Sequence, residues 1–324
     1  MPRVPIVKLH LNSILNKDPY LLREKSTNRT RQGTLMLRVL LADRTGSING
    51  VYFDVPGHVP ETLTVGRGVE VSGRVDEYRG QIQVNLDRIA PVELPDLGEY
   101  LPTARRPLQQ LERELAEVRA TIQQPQLARL VAAILDEPAT RAAYLRAPAA
   151  KVNHHACVGG LLEHTLDVAR LAATACDVYP EADRDLVMAA VLLHDVGKLP
   201  SYDPLTFDLT PEGVLLTHLY LSALSVERAM TTIPDFDPEL RLRLIHAILA
   251  HHGKLEHGSP VLPMTLEALI VHNADNTDGE ARGALDHLER TSEDEGAFTT
   301  ISNMHDTKLY RGSGDAPPTQ ATLL

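Results

Sequence analysis

The sequence predicts a multi-domain protein of mixed α and β structure, in which a small N-terminal β-barrel is followed by an all-α domain. In residues 1–95, apolar and polar side chains alternate with period two between Gly-containing turns, which is typical of short strands. After residue 108 the apolar residues recur at helical spacing instead. Between the two patterns lies a linker, residues 91–108, that contains four prolines.

The first part supports a small barrel because four or five short strands fit within fewer than 100 residues. Turns are predicted at residues 43–46 and 78–80, where Gly closes a polar stretch. Four strands can be placed, at Thr34–Ala42, Ser47–Phe53, Gly68–Val75 and Gln81–Ile89.

The second part carries amphipathic segments that predict seven helices. They are Leu108–Gln123, Gln126–Ala143, Gly160–Thr174, Asp183–His194, Leu216–Met230, Asp237–His251 and Pro263–Asn273. We expect residues 1–95 to form the barrel domain, 96–150 to be a linker and helical connection, and 151–300 to form the helical domain. Residues 301–324 are expected to be a flexible tail, because the end of the chain is polar and Pro-containing.

The charge of −11 is divided unevenly between the two parts. Residues 1–95 carry 13 Lys and Arg against 10 Asp and Glu, and the remaining 19 and 33 give −14 for residues 96–324. This division suits a weakly basic binding module joined to an acidic, metal-binding module, although +3 over 95 residues is also unremarkable. Cys157 and Cys176 are predicted to be buried free thiols. Without a signal-peptide core or an apolar run of roughly 18 residues, a cytoplasmic location and no membrane contact are expected.

The histidines are the main indication of chemistry. An apolar helix ending near residue 193 delivers the adjacent pair His194 and Asp195. Neighbouring side chains on a helix point about 100° apart, so both can bind one metal only in a groove between helices. His164 and Asp275 lie on other apolar helices, where a buried carboxylate is costly unless it is paired or metal-bound. Imidazole and carboxylate groups together suit Mn²⁺, Fe²⁺ or Zn²⁺.

The order EHT, then HDxGK, then HxAD resembles the HD-domain metallophosphohydrolases over roughly residues 150–290. The resemblance implies that a divalent metal is bound by four residues, His164, His194, Asp195 and Asp275. It further implies that Asp195 bridges to a second ion, which would be completed by His218 and by one or both of His251 and His252. Two such ions can stabilise both the attacking and the leaving oxygen of a phosphate ester.

The catalytic candidates are Asp195 and Lys198, which lie in the same motif as His194. The ammonium group of Lys198 could neutralise a phosphoryl oxygen during displacement, or this residue could be a solvated lysine at a helix end. His154 and His155 could be ligands or caps, and Glu163 could assist a proton transfer.

The N-terminal pattern, from residue 31 to residue 84, resembles an OB-fold of the nucleic-acid-binding type. Such folds hold single strands by base stacking and phosphate contacts. The candidate contacts are Arg38, Tyr52, Phe53, Tyr78 and Arg79, although these aromatics could also simply fill a small barrel. Phe53 stands where a Trp would be expected before Asp54, which weakens the predicted stacking.

An OB-fold followed by an HD domain resembles the YhaM-type 3′→5′ exoribonucleases across nearly the whole chain, including HHAxxGGLLEHT at 154–165 and AHHG at 250–253. The resemblance implies a Mn²⁺-dependent or similar enzyme that trims single-stranded RNA, with DNA left open as a substrate. Fe²⁺, Co²⁺, Zn²⁺ and Mg²⁺ also remain open as the metal, and so does a homo-oligomer.

Two alternatives are compatible with the same residues. One is an HD phosphodiesterase or phosphatase that acts on nucleotides or cyclic dinucleotides, because that subset shares the second-metal positions. The other is a non-catalytic nucleic-acid-binding protein whose helical domain is purely structural. A complete set of metal ligands argues against the second alternative.

Overall fold

The computed structural model describes residues 3–30, 32–78, 81–94, 99–151, 154–291, 296–302 and 304–312. The N-terminal part is a closed barrel in the order β1-β2-β3-β5-β4, with only β3 and β5 paired in parallel. The strands are β1 Ile14–Arg29, β2 Leu35–Asp43, β3 Gly46–Phe53, β4 Gly68–Tyr78 and β5 Gln81–Val92, and a short helix α1, Val59–Thr62, precedes β4. This confirms the predicted barrel.

Strand β1 is the element of the barrel that the sequence did not locate. Its pairing shifts register between Asn16 and Asp18, and again between Leu22 and Glu24. Lys17, at the first shift, has a positive φ of 57°. Such bulges insert an extra residue and break the period-two alternation from which strands are recognised in a sequence.

The helical domain begins after the linker and is built from nine helices in the described residues. They are α2 Leu108–Ala120, α3 Pro125–Leu135, α4 Pro138–Tyr144, α5 Gly160–Val178, α6 Arg184–Leu193, α7 Lys198–Ser201, α8 Pro211–Met230, α9 Pro238–Ala250 and α10 Leu266–Arg290. Four of them (α3, α4, α8 and α9) begin with Pro, where the missing N–H costs nothing, behind a residue whose side chain caps the helix.

Several predicted helix limits differ from the structure, and three predictions differ most. The single helix predicted for residues 126–143 is divided at Pro138, which cannot continue a helix, and Glu137 caps the second part. The helix predicted to start at Leu216 starts at Pro211. The helix predicted to end at Asn273 continues to Arg290, and polar residues of its second half bind distant partners: Asp278 binds His164 of α5, and Asp286 pairs with Arg105.

A C-terminal hairpin, β6 Phe298–Ser302 and β7 Thr307–Tyr310, packs against α10 and was not predicted. Strand β7 falls within residues 301–324, for which a flexible tail was expected, whereas residues 313–324 of that prediction lie outside the described residues. Among the described helices, none combines the length and the apolar character needed to cross a bilayer.

The barrel and the helical domain share a small buried cluster of Leu21, Tyr100, Leu101 and Phe207. Phe207 belongs to the turn between α7 and α8 and is 0% exposed. Arg23 of β1 places its guanidinium 4.7 Å from the centre of the Phe207 ring and donates a hydrogen bond to the carbonyl of Thr206. The two domains are therefore joined by packing as well as by the linker.

We predict that Phe207→Ala uncouples the domains. Removal of a fully buried Phe costs about 3–5 kcal/mol, and here that cost falls on the junction. In calorimetry the wild type should unfold in one transition, whereas the variant should show separate barrel and helical transitions. Phe298→Ala is a matched control because Phe298 is 55% exposed. If Phe207→Ala unfolded in one transition like the wild type, Phe207 would not couple the two domains.

Candidate metal centre

The sequence HDVGK spans the turn between α6 and α7. His194 caps the C-terminus of α6, and Lys198 starts α7. Gly197 lies between them against α8, where a Cβ would come within 2.3 Å of the carbonyl oxygen of His218 and within 2.4 Å of the backbone nitrogen of Ser222. Glycine at this position therefore allows the motif to contact the helix that carries His218.

The first group of predicted ligands converges at one point between α5, α6 and α10. Nε2 of His164 lies 3.1 Å from Oδ1 of Asp275 and 3.5 Å from Oδ2 of Asp195. Nε2 of His194 lies 3.2 Å from the same Asp195 oxygen and 3.4 Å from Nε2 of His164. The structure therefore brings all four predicted first-site residues together.

A second group faces the other oxygen of Asp195. Oδ1 of Asp195 lies 3.5 Å from Nε2 of His218 and 3.7 Å from Nε2 of His251. Nε2 of His252 is 3.2 Å from that of His218. Thr217, with φ 62° and ψ 151°, interrupts α8 just before His218, a conformation rare for a β-branched residue. This interruption lets His218 start a new helical segment beside the site.

Four of the imidazoles are fixed through the nitrogen that faces away from the centre. Nδ1 of His194 is 2.7 Å from the carbonyl of Val191, Nδ1 of His251 is 2.7 Å from that of Ile248, and Nδ1 of His252 is 2.8 Å from that of His257. His164 uses a carboxylate, that of Asp278, at 2.7 Å. An acceptor at Nδ1 keeps the proton there and leaves Nε2 free to bind a metal.

The donor set fits divalent metal ions. Asp195 is 2% exposed, and within the described part of the chain its Oδ1 has no hydrogen-bond partner although it is fully buried. An unsatisfied buried carboxylate oxygen is expensive, and a cation between it and the imidazoles of His218 and His251 would satisfy it. Four imidazoles, of His164, His194, His218 and His251, surround the Asp195 carboxylate together with Asp275, and first-row divalent ions accept such ligands.

The carboxylates dominate the electrostatics of the first group. Burial lowers the pKa of His194, but Asp195 and Asp275 more than offset it and raise that pKa to about 9. Burial raises the pKa of Asp195, yet His194 and Lys198 hold it well below its usual value. In the second group burial dominates, and it lowers the pKa of His218 to about 3. Burial also lowers the pKa of His251 well below its ordinary value, so His218 and His251 are neutral at pH 7, as metal binding requires.

Lys198 is 8% exposed and its Nζ lies 2.6 Å from Oδ2 of Asp195. Burial lowers its pKa, but the Asp195 carboxylate raises it further, so it carries a charge. It also lines the cavity above the ligands, together with His154. The alternative of a solvated helix-end lysine does not hold, because the side chain is buried. Its catalytic role stays a prediction.

Asp278 is a functional residue that the sequence reasoning missed. Besides His164, its Oδ2 contacts Nε2 of His155 at 3.1 Å, and His155 lies 3.4 Å from Glu163. Glu163 accepts hydrogen bonds from the backbone nitrogens of Arg105 and Arg106, so it is occupied by the linker and does not face the cavity. The spacing of Asp275 and Asp278, three residues apart on one helix face, was the available signal.

We predict that Asp278→Asn weakens metal binding about 10- to 100-fold, as the loss of a partner behind a ligand typically does. The amide keeps the shape but removes the charge that orients His164. Calorimetric titration with Mn²⁺ measures the change. Asp286→Asn, the same substitution on the same helix at a residue paired with Arg105 and Arg282, is the control. An equal loss in both variants would contradict the positioning role of Asp278.

We also predict that Mn²⁺ competes with protons. Because the pKa of His194 is about 9 and that of His164 is raised well above its ordinary value, both hold protons at neutral pH without metal. Affinity should rise by about tenfold per pH unit for each displaced proton up to about pH 9. Titrations between pH 6.5 and 8.5, in buffers of different ionisation enthalpy, should show proton release. A constant Kd would argue against these ligands.

The predicted nucleic-acid contacts occupy different parts of the barrel. Arg38 and Tyr78 line one groove of about 190 Å³ with Asn49, Ile82 and Gln83, three residues that the sequence did not single out. Phe53 is 55% exposed but lies outside that lining. Tyr52 packs against the barrel core. Arg79 lies outside the described residues.

Two family models match the two domains separately. The HD domain family matches residues 161–280, and the OB-fold nucleic acid binding domain family matches residues 23–92. A helicase-type family also matches residues 94–200, overlapping the HD match. The OB domain of Ta0387 from Thermoplasma acidophilum is similar to 30% of the chain, at 16% identity and a TM-score of 0.24 over 92% of that domain.

Curated relatives match the chain over most of its length. The 3′-5′ exoribonuclease YhaM of Bacillus subtilis is 34% identical over 278 residues, which cover 84% of this chain and 88% of the relative. The protein of the same name from Bacillus licheniformis is 33% identical over the same shares of both chains. That of Bacillus pumilus is 32% identical over 280 residues.

Proposed function

Because this chain belongs to the YhaM family of 3′-5′ exoribonucleases, we propose that it is a metal-dependent exonuclease that removes nucleotides from the 3′ end of single-stranded RNA. The observation that carries the proposal is the buried Asp195 carboxylate, with one oxygen facing His164 and His194 and the other facing His218 and His251. This arrangement suits two divalent ions, of which we propose Mn²⁺ as the native metal.

A bound pair of divalent ions supplies an activated water and neutralises charge on the phosphate. The protein's own groups do the rest. Lys198, held against Asp195 at the cavity wall, places a positive charge where the phosphate must lie and stabilises the charge that develops on its oxygens. The backbone carbonyls behind His194 and His251 keep both rings oriented. Burial of the ligands excludes bulk water from this side of the site.

The barrel would hold the strand upstream of the site. Its groove combines a cation, Arg38, with an aromatic ring, Tyr78, which is 54% exposed. Successive bases stack on such rings while cations contact the phosphates. Since the barrel is packed on the helical domain through Phe207, a strand bound there stays tethered to the catalytic domain between cleavages.

A second candidate is hydrolysis of mononucleotides or cyclic dinucleotides, and one observation favours it. The cavity above the ligands has a volume of about 320 Å³, near the lower limit of about 300 Å³ for small-molecule sites. A single nucleotide therefore suits it. The nucleic-acid-binding barrel and the exonuclease relatives favour the first proposal.

Asp195→Ala should abolish hydrolysis, by at least about a thousandfold, while RNA binding stays within twofold of wild type. The reason is that metal catalysis contributes several kcal/mol and the barrel is untouched. A gel assay on 5′-labelled RNA and DNA, with Mn²⁺ or EDTA, measures the shortening. Asp177→Ala, at a surface partner of Arg184, is the control. Wild-type turnover in Asp195→Ala, or an EDTA-resistant activity, would contradict the proposal.

Tyr78→Ala should weaken RNA binding by about 1–3 kcal/mol, the loss typical of one stacked base. Fluorescence anisotropy of a labelled single strand in EDTA separates binding from cleavage. Tyr179→Ala is a matched control, since Tyr179 is also 54% exposed but lies at the end of α5. If the two variants bound RNA with equal affinity, the strand would not bind in this groove.

A further inference from the structure

The cavity extends beyond the metal ligands along α10. From His164 and Asp275 it continues past Asn276 and Gly279 to Glu280, and Met304 of the hairpin loop closes the far side. Only the first two of these residues take part in the metal centre. The remaining length of the cavity is therefore available to a group joined to the scissile phosphate.

Gly279 marks open space beside the metal site. It follows Asp275 by four residues, so it lies on the same face of α10 about 6 Å further along the axis. Gly279 is itself buried, but a Cβ added to it would meet no atom of the described residues within 4 Å. The helix itself does not require glycine here, since the position lies within α10 and its φ is not positive. The absent side chain instead leaves space over Gly279, here called the shelf, at a distance from the metal ligands that one ribose could span.

The walls of this shelf have distinct chemistry. Met304 is half-buried and its thioether packs on Gly283, which lies on the same helix as Gly279. Nε2 of His305 lies 3.1 Å from the backbone carbonyl of Glu280, so the hairpin loop is tied to α10. The Glu280 side chain is exposed at the rim, and within the described residues its carboxylate forms no ion pair. Thus one wall is apolar and polarisable, and the other is anionic.

We infer that Gly279, Glu280 and Met304 form a subsite for the 3′-terminal nucleoside, in which the Glu280 carboxylate accepts hydrogen bonds from the terminal ribose hydroxyls. The inference rests on the proposed exonuclease function and supplies its substrate preference. The terminal base would lie against Met304, since thioethers contact aromatic rings favourably without demanding one base identity. The ribose would cover Gly279.

A carboxylate at this place distinguishes between chemically different 3′ ends. A carboxylate only accepts hydrogen bonds, and ribose hydroxyls can donate them, so a ribose end is favoured over an end that lacks the 2′-hydroxyl. A 3′-phosphate would instead bring its negative charge close to the Glu280 carboxylate, and like charges repel. The subsite therefore selects RNA with a free 3′ end.

The test uses the full-length protein with Mn²⁺ and three 5′-labelled RNA strands that differ only in the last residue. These end in ribose, in 2′-deoxyribose or in ribose 3′-phosphate, and kcat/KM is measured for removal of that residue. The wild type should prefer the ribose end by about 10- to 100-fold, the range for a hydrogen bond to a charged group. Glu280→Gln should reduce this preference to within about threefold and should narrow the discrimination against 3′-phosphate.

Glu239→Gln makes the same charge change in the first turn of α9, at the opposite end of that helix from His251, and should keep the wild-type preference. Gly279→Leu tests the shelf separately. It should raise or maintain the melting temperature, because leucine is the better helix former, yet lower kcat/KM on RNA at least tenfold. Its hydrolysis of bis(4-nitrophenyl) phosphate, which needs no nucleoside subsite, should change far less.

The outcomes separate this inference from the proposed function. If the wild type shortened no RNA from its 3′ end, the exonuclease proposal and the subsite would both fail. If it shortened RNA but treated ribose and 2′-deoxyribose ends alike, the subsite would be wrong while the exonuclease stood. Retention of the full preference in Glu280→Gln, or normal RNA turnover in Gly279→Leu, would likewise overturn it.

Discussion

The Asp195 carboxylate is the constraint on which the rest of the helical domain depends. It is buried, and its two oxygens face two different sets of imidazoles carried by α5, α6, α8 and α9. A buried charge of this kind is tolerated only where cations or hydrogen-bond donors surround it. The helices must therefore meet at one point, and Gly197 allows the close approach of α8 that completes the set.

Contacts around the metal centre connect it to two other parts of the chain, the linker and the barrel. Asp278 holds His164 from behind and is linked through His155 and Glu163 to the backbone of the linker at Arg105 and Arg106. The turn after α7 presents Phe207 to the barrel. The segment that enters the helical domain and the surface that receives the barrel are thus both attached to elements of the metal centre.

Much of the centre could be predicted from the sequence because its residues stand in short local motifs. His194, Asp195 and Lys198 lie within the five residues of HDVGK, so their proximity in space follows from their proximity in the sequence. The extent of α10 could not be predicted, since polar residues of its second half bind residues that are distant in the sequence, as Asp278 binds His164 and Asp286 binds Arg105. Asp278 was missed for the same reason, because its role arises from His155 and His164, more than 100 residues earlier.

The barrel shows the same division between local and tertiary information. Strands β3 to β5 alternate and β2 is an almost continuous apolar run, so all four were located, whereas the bulged β1 was not. The cavity wall at Met304 depends on a C-terminal hairpin that folds back onto α10, which a polar, Pro-containing sequence did not indicate. A site assembled from local motifs can therefore be predicted, but the space that selects its substrate cannot.

The most direct test of the account is anomalous diffraction, at the manganese absorption edge, from crystals of the protein loaded with Mn²⁺. Two peaks about 3.5–4 Å apart are expected on either side of the Asp195 carboxylate, the separation typical of two-metal sites. One peak should lie against His164, His194 and Asp275, and the other against His218 and the 251–252 pair. A single peak, or peaks away from Asp195, would contradict the shared carboxylate.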